Sequence, residues 1–410
     1  MTRPSELPCR PGSEPGDCAR TLPAHGGIGE ITRRFGAALR ARHTLSLRTR
    51  QVLDHITRCR TAALGGHLHV CDQCGLQTPI YNGCRDRHCP GCQSTDQYRW
   101  LFARRERNPP TRWFHVVFTL PDPLRALARL DPARIYALLF QAATETLLTL
   151  AADPARLGGT PAITAVLHTW TRELLYHPHL HCIVSAGALS FDGTRWIAVE
   201  RPYLFPVAVL SALFRGKFLA GLDRLQRAHP LAMPDGDPNY LLRVRETLHT
   251  TPWVVYAKAP FGDGDALFRY LGRYTHRVGI SNARIREITD THVSFATRDG
   301  DVATVPGETF LQRFVQHVLP TGFTRIRHYG LLAASNVHTR LERALALLGA
   351  ATTDATPASR AHDSPPDWVS LLREMTGFDP LQCPRCHQGM CDRRPLPIFE
   401  PSPPVRPDTS

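Results

Sequence analysis

The stretch Tyr176-His177-Pro178-His179-Leu180-His181-Cys182-Ile183-Val184-Ser185 constrains this chain most. Three histidines occupy alternate positions and run into an apolar, β-type tail. Period two is the period of a β-strand, in which alternate side chains share a face. His177, His179 and His181 would then point one way and Leu180 the other. Imidazoles brought together on a strand make a ready divalent-metal site, because neutral imidazole is the commonest protein metal ligand. The ordinary alternative is a surface strand with chance histidines. Twenty histidines occur in the 410 residues, but three within five positions favour a metal or catalytic role.

A second motif lies upstream. His67-Leu68-His69-Val70-Cys71-Asp72-Gln73-Cys74-Gly75 is followed by Cys84-Arg85-Asp86-Arg87-His88-Cys89-Pro90-Gly91-Cys92, giving two CxxC pairs with 14 residues between them. Each CxxC is a tight turn that brings two thiolates to one ion, and two such turns complete a tetrahedral site. The expected zinc ligands are therefore Cys71, Cys74, Cys89 and Cys92. Cys84 and His88, with His67 or His69, are left open as part of a second site or as substitutes for one ligand. The site is closed, so its role should be structural. The C-terminal Cys383-Pro384-Arg385-Cys386-His387 with Cys391 holds one CxxC and no second pair, and is expected to hold no metal.

The formal net charge of +13, almost all from arginine, favours a nucleic-acid partner over an acidic or neutral one. Arg85 and Arg87, with a basic helix expected over 94–108, border the cysteine module and suit DNA phosphates; a solvated basic face is the bland alternative. No run of about 18 apolar residues is evident, so no membrane span is expected. Nor does the N-terminus carry a basic start followed by an apolar run, so no signal peptide is expected. The clustered cysteines then point to a reducing, cytoplasmic setting and to metal rather than disulfides.

Along the chain, residues 1–27 read as a disordered leader. Residues 28–108 read as a helical and zinc-binding DNA-contact domain, with Thr44 or Ser46 capping its second helix. Residues 109–348 interleave strands and helices: strands over 112–120, 161–168, 177–186 and 252–257, helices over 131–151, 204–227, 265–275, 306–317 and 337–348. Asp192-Gly193 marks a hairpin turn, and a further hairpin is expected over 284–297. The pattern is α+β, an antiparallel sheet with flanking helices. Residues 349–366 read as a linker and 367–410 as a cysteine-containing tail.

Tyr270 and Tyr274 are four apart in Phe268-Arg269-Tyr270-Leu271-Gly272-Arg273-Tyr274-Thr275-His276-Arg277, which on a helix puts them on one face. A tyrosine pair is usually packing. Here Arg269, Arg273 and Arg277 alternate with the rings, and a tyrosine hydroxyl can attack a phosphodiester when the phosphate is polarised. Four segments now form a pattern: the cysteine module, His177-Pro178-His179-Leu180-His181-Cys182, Tyr270 to Asn282, and Phe323-Thr324-Arg325-Ile326-Arg327-His328-Tyr329-Gly330. In this order, over about residues 28–345, the chain resembles the rolling-circle transposases of the insertion-sequence-91 family, in the HUH endonuclease superfamily.

The resemblance implies an HUH-type antiparallel sheet with His179 and His181 on a central strand, holding Mg²⁺ or Mn²⁺. It implies Tyr270 and Tyr274 as nucleophiles that nick and join single-stranded element ends and target DNA, with structural zinc apart. Arg273 and Arg277 would hold phosphates beside them. Arg325 and Arg327, interleaved with aromatics, would form a further DNA-contact patch, a paired basic strand being the alternative. His177 fits less well, because Pro178 cannot donate to a central ladder. Spacing does not assign a third metal ligand; His115 and His168 are candidates, though packing is their more ordinary role. Host replication or helicase factors would separate the strands. Two rival readings remain: a rolling-circle replication initiator, which shares the chemistry, and a non-catalytic zinc-dependent DNA-binding protein, which leaves the histidines and tyrosines idle.

Overall fold

The computed structural model describes residues 26–92, 107–261, 279–298, 300–350, 369–370, 373 and 379–396. The expected helices over 94–108 and 265–275 and the linker lie essentially outside them. The chain forms two compact units: Met1–Cys92 with Ser281–Leu311 and Ala361–Ser410, and Gln93–Ile280 with Gln312–Arg360. This corrects the expectation of contiguous blocks at 28–108, 109–348 and 367–410. Two later segments return to the first unit, because its N-terminal strand and helix have hydrogen-bonding edges that they satisfy.

In that first unit, α1 (Gly27–Arg42) and α2 (Leu47–Arg58) form a helical pair. Ser46 is the cap of α2, its Oγ accepting from the Thr49 N–H at 3.1 Å. The Ile28 N–H at the start of α1 donates to Asn282 Oδ1 at 3.1 Å, one reason the later segment belongs here. Strands β1 (Gly66–Cys71) and β2 (Gln77–Tyr81) form a hairpin.

The second unit is built on a sheet with β3 (Trp113–Thr119), β4 (Gly159–Trp170), β5 (Tyr176–Ser190), β6 (Trp196–Ala198) and β7 (Val255–Phe261). Its helices are α3 (Arg125–Leu130), α4 (Pro132–Ala152), α5 (Val207–Ala228) and α6 (Tyr240–Thr250). In the first unit, β8 (Ile285–Ile288), β9 (His292–Ala296) and β10 (Val302–Pro306) form an antiparallel sheet; α7 (Gly307–Val315) follows, and the boundary between the units falls within it, after Leu311. Strand β11 (Ile326–Gly330) and α8 (Arg340–Ala350) belong to the second unit, and β12 (Cys391–Leu396) to the first. Helix α6 and strands β10 and β12 were not expected from the sequence.

The sheet of the second unit runs β11-β4-β5-β3-β7, antiparallel throughout, with β6 added to β5 by the Asp192-Gly193 hairpin. The expected α+β fold and the central place of the histidine strand are both observed. Pro178 is accommodated where the β4–β5 register shifts between His168 and Trp170, so its missing N–H interrupts no regular ladder.

Period two sorts the two faces. Phe114, Val116 and Phe118 of β3, Ile163, Ala165 and Leu167 of β4, and Leu180, Cys182 and Val184 of β5 enter the main core. Helices α4 and α5 cover that face, with Phe140, Leu147, Phe214 and Phe218 fully buried. Helix α4 is long and apolar enough by length and composition to cross a membrane, but most of it is buried in this core. On the opposite face, Trp113, Ala162, Ile183 and Leu189 pack against Leu341 and Ala344 of α8. The same face also carries the imidazoles of His115, His168, His179 and His181, with Val166 and Trp170 beside them.

Candidate metal centre and cysteine clusters

The imidazoles come from three adjacent strands. Register sets His168 of β4 directly across from His179 of β5, while His181 lies one pleat along. His168, His179 and His181 each bring a ring nitrogen to within 4.8 Å of the others. Their rings are 4.3 to 5.5 Å apart.

The hydrogen bonds choose the tautomers. His179 Nδ1–H donates to the His177 carbonyl at 2.7 Å, which leaves Nε2 bare. His181 Nδ1 lies 2.7 Å from His115 Nε2 of β3. With the proton on that Nδ1, His115 Nε2 accepts it and His181 Nε2 is the unprotonated nitrogen. Metal-ligating histidines are commonly held in this way, by a partner on the other ring nitrogen. His115 is thus the hydrogen-bond partner of His181, and His168 is the third imidazole of the group.

Burial pushes the His179 pKa down to about 4 and does the same to His115. Burial also drives His181 well below the ordinary histidine value, and the neighbouring His168, His179 and His115 add to it. His179, His115 and His181 are therefore neutral near pH 7, the state in which imidazole can ligate. His177, the strand entry, turns its ring to Arg125 instead. Beside the triad, Trp170 stacks on His168 at 4.6 Å and the Arg325 guanidinium lies 5.8 Å from the Trp170 ring. Arg327 packs over Phe140 at 4.3 Å and Phe323 at 5.0 Å, and with Arg107 and His328 it lines an open cavity of about 630 Å³. Tyr270, Tyr274, Arg273 and Arg277 lie outside the described residues.

The cysteines differ from expectation. Cys71, Cys74, Cys89 and Cys92 do not meet. Cys89 and Cys92 join Cys59 and Cys84, whereas Cys71 and Cys74 join Cys383 and Cys386. The reason lies in the 14-residue spacer, which is not a loop but contains β2. Tyr81 pairs with Gly66, so the chain after β2 emerges at the opposite end of β1 from Cys71. At about 3.3 Å per residue, the two CxxC turns are separated by roughly 17 Å along the strand. Cys59 follows α2 and is held at the near end, where the Arg60 N–H donates to the Asn82 carbonyl at 3.0 Å. Reading Gln77-Thr78-Pro79-Ile80-Tyr81 as a return strand would have separated the pairs. The C-terminal CxxC, expected to lack a second pair, meets Cys71 and Cys74, which no spacing rule finds across some 300 residues.

His67 and His69 lie on β1 with rings 5.0 Å apart and belong to neither cluster. His88 is fully buried and is not a ligand either; its backbone N–H and its Nδ1 both reach Asp86 Oδ1 at 2.9 Å. Burial alone would raise the Asp86 pKa, but the hydrogen bonds from His88 and His55 outweigh it and hold the carboxyl well below its usual range. Asp86 thereby fixes the loop that carries Cys84 and Cys89. Arg85 and Arg87 lie exposed on the same loop.

Comparison with known proteins shows the family. A transposase zinc-binding domain of the insertion-sequence-91 type matches residues 31–120, and a family described as "Putative transposase" matches residues 162–339. A Sinorhizobium fredii protein, "Putative transposase y4qJ", is 45% identical over 374 residues, 88% of this chain and 93% of that one. The chain belongs to the insertion-sequence-91 family of transposases. A transposase for insertion sequence element IS801 from Pseudomonas savastanoi pv. phaseolicola is 28% identical over 365 residues, 83% of this chain and 82% of that one. No solved structure matches. As a transposase the protein processes DNA, and its cysteine clusters suit the structural zinc of its zinc-binding domain.

Proposed function

We propose that this transposase nicks and joins single-stranded DNA through a 5′-phosphotyrosine, driving rolling-circle transposition. The observation that supports this best is the triad His168, His179 and His181 on one face of the sheet, with His179 Nδ1–H donating to the His177 carbonyl and Nε2 unprotonated. In this reading the oxygen of Tyr270 or Tyr274 attacks the scissile phosphorus. The bond to the 3′ oxygen breaks, that oxygen gains a proton, and a free 3′-OH remains. The second tyrosine performs a further transfer, so that donor and target strands are joined without hydrolysis. Arg325, beside Trp170 and His168, steers the phosphate toward the triad, while Arg273 and Arg277 flank the tyrosines.

A divalent cation held by the three imidazoles would polarise the phosphate and stabilise the charge that develops on it. The donor set contains no carboxylate, which ranks Mn²⁺ above Mg²⁺, since Mg²⁺ prefers oxygen ligands and keeps its waters. Arg85 and Arg87 of the zinc-binding unit contact duplex or single-strand phosphates. The partner is DNA at the element ends and target, with host factors opening the strands.

The test is a nicking assay on a single-stranded oligonucleotide carrying an element end. Wild type is expected to cleave with Mn²⁺ and not with chelator, and His179→Ala and His168→Ala to lose cleavage at any metal concentration. Wild-type rates in either variant would remove the triad from the mechanism.

A further inference from the structure

The two cysteine clusters are alike in ways that a chance meeting of thiols is not. In the first, Cys59 and Cys92 lie 3.5 Å apart, Cys59 and Cys89 3.5 Å, and Cys84 and Cys92 3.8 Å. In the second, Cys71 and Cys386 are 3.6 Å apart and Cys74 and Cys383 3.6 Å. A disulfide would require about 2.05 Å. Four thiolates about 2.3 Å from one tetrahedral ion are about 3.8 Å from each other. The observed spacings match the edge of that tetrahedron.

The backbone is shaped to the same end. Five non-glycine residues among those described adopt positive φ, and three of them directly follow a cluster cysteine: Arg60 (55°), Arg85 (56°) and His387 (54°). Gly75, which follows Cys74, has φ +68°. Left-handed backbone is costly for a side-chain-bearing residue and persists only where the surroundings impose it. Here it turns backbone N–H groups onto sulfur. Cys84 N–H points to Cys59 Sγ at 3.5 Å, Cys74 N–H to Cys71 Sγ at 3.5 Å, Arg385 N–H to Cys383 Sγ at 3.4 Å and Gly389 N–H to Cys386 Sγ at 3.3 Å. The turns at Cys71 and at Cys383 repeat one another: the Gly75 N–H donates to the Cys71 carbonyl and the His387 N–H to the Cys383 carbonyl, each at 3.1 Å.

The C-terminal segment is seated on the N-terminal hairpin from Cys383 to Leu396. Strand β12 pairs with β1 over six residues, from Gly66 with Leu396 to Cys71 with Cys391. Asp72 N–H donates to the Met390 carbonyl at 3.1 Å, and Met390 N–H donates back to Asp72 Oδ1 at 2.9 Å. A Cβ added at Gly389 would lie 2.4 Å from Cys71 Sγ and 2.7 Å from Asp72 Oδ1, so only glycine allows this approach.

We infer that the chain binds two zinc ions in separate four-thiolate sites, and that the second, formed by Cys71, Cys74, Cys383 and Cys386, clamps the C-terminal segment onto the N-terminal unit. The matched zinc-binding domain ends at residue 120, so half of this site's ligands come from outside it. Cys391 faces the cluster from β12 but is not one of its ligands.

Zinc content per chain of the full-length protein tests this, because it reads metal and not activity. Wild type is expected to hold two equivalents. Cys383→Ser with Cys386→Ser should hold one, as should Cys71→Ser with Cys74→Ser. The variant carrying all four changes should still hold one, since the pairs share an ion. Cys59→Ser with Cys84→Ser should also hold one, and Cys391→Ser two. A wild type with one equivalent, or a tail variant that keeps two, overturns the inference. If the variants do not fold, alkylation mapping of wild type decides. Cys71, Cys74, Cys383 and Cys386 should be protected with zinc bound and become reactive together when a chelator removes it. Cys383 and Cys386 reacting in the zinc-loaded protein, while Cys71 and Cys74 stay protected, would refute the shared site.

Discussion

His115→Phe isolates the contribution of a residue that, in the proposed centre, orients a ligand rather than binding the cation. His115 is 5% exposed, and His181, its hydrogen-bond partner at 2.7 Å, is 9% exposed. Phenylalanine keeps an aromatic ring, somewhat larger than imidazole, but offers no nitrogen, so His181 loses its hydrogen-bond partner. Loss of such an outer partner typically costs 10–100-fold in metal affinity, about 1.4–2.7 kcal/mol. The assay is Mn²⁺ titration of the full-length protein, by calorimetry and by oligonucleotide nicking. The midpoint should rise about 10–100-fold while the rate at saturating Mn²⁺ stays near wild type. A melting curve controls for folding. An unchanged midpoint in a folded variant would refute the orienting role, and loss of nicking at every Mn²⁺ concentration would make His115 a ligand instead.

Three further outcomes follow from the same sheet. His317 is fully buried and neutral, its Nε2–H donating to the Leu174 carbonyl and its Nδ1 accepting from Thr169, both at 3.2 Å, and burial lowers its pKa to about 4. A folded-state pKa below the unfolded value of about 6.5 contributes stability that is present above pH 6.5 and lost as pH falls through 4, at most about 3 kcal/mol. His317→Gln should flatten that acid limb in urea melts, and an unchanged slope argues against the assignment. Leu180→Ala, at a fully buried position on the helical face, should cost about 2–5 kcal/mol in the same melts without altering the Mn²⁺ midpoint. Arg325→Ala should weaken single-strand binding and reduce the salt slope by about 0.7, leaving metal affinity unchanged; a wild-type slope would remove its phosphate contact.

The sequence made the histidine strand legible because period two is a backbone property and needs no knowledge of partners. The strand that carries His177, His179 and His181, the antiparallel sheet and the Asp192-Gly193 hairpin follow from local pattern, whereas the choice of His179 and His181 came with the family resemblance. His168 was visible only as a candidate, since its role depends on cross-strand register, which a bulge beside Pro178 sets. The same limit explains the cysteines. Two CxxC turns imply one site only if the residues between them form a loop, and β2 sends the second pair to the far end of β1. The tail pair at Cys383 and Cys386 looked incomplete because its other half stands some 300 residues earlier. Strand β12 could not be read from Cys391-Asp392-Arg393-Arg394-Pro395-Leu396, which has neither alternation nor β-branched residues. It is a strand because β1 offers it an edge.

The most direct measurement joins the histidine triad to the two tyrosines. Wild-type protein, a 5′-extended single-stranded oligonucleotide carrying the element end, and Mn²⁺ are run on a denaturing gel. A covalent protein–DNA adduct is expected, absent with chelator, reduced in Tyr270→Phe or Tyr274→Phe alone, and absent when both are changed. An adduct that persists in the double variant, or that forms equally well without a divalent cation, would contradict the phosphotyrosine mechanism proposed for this transposase.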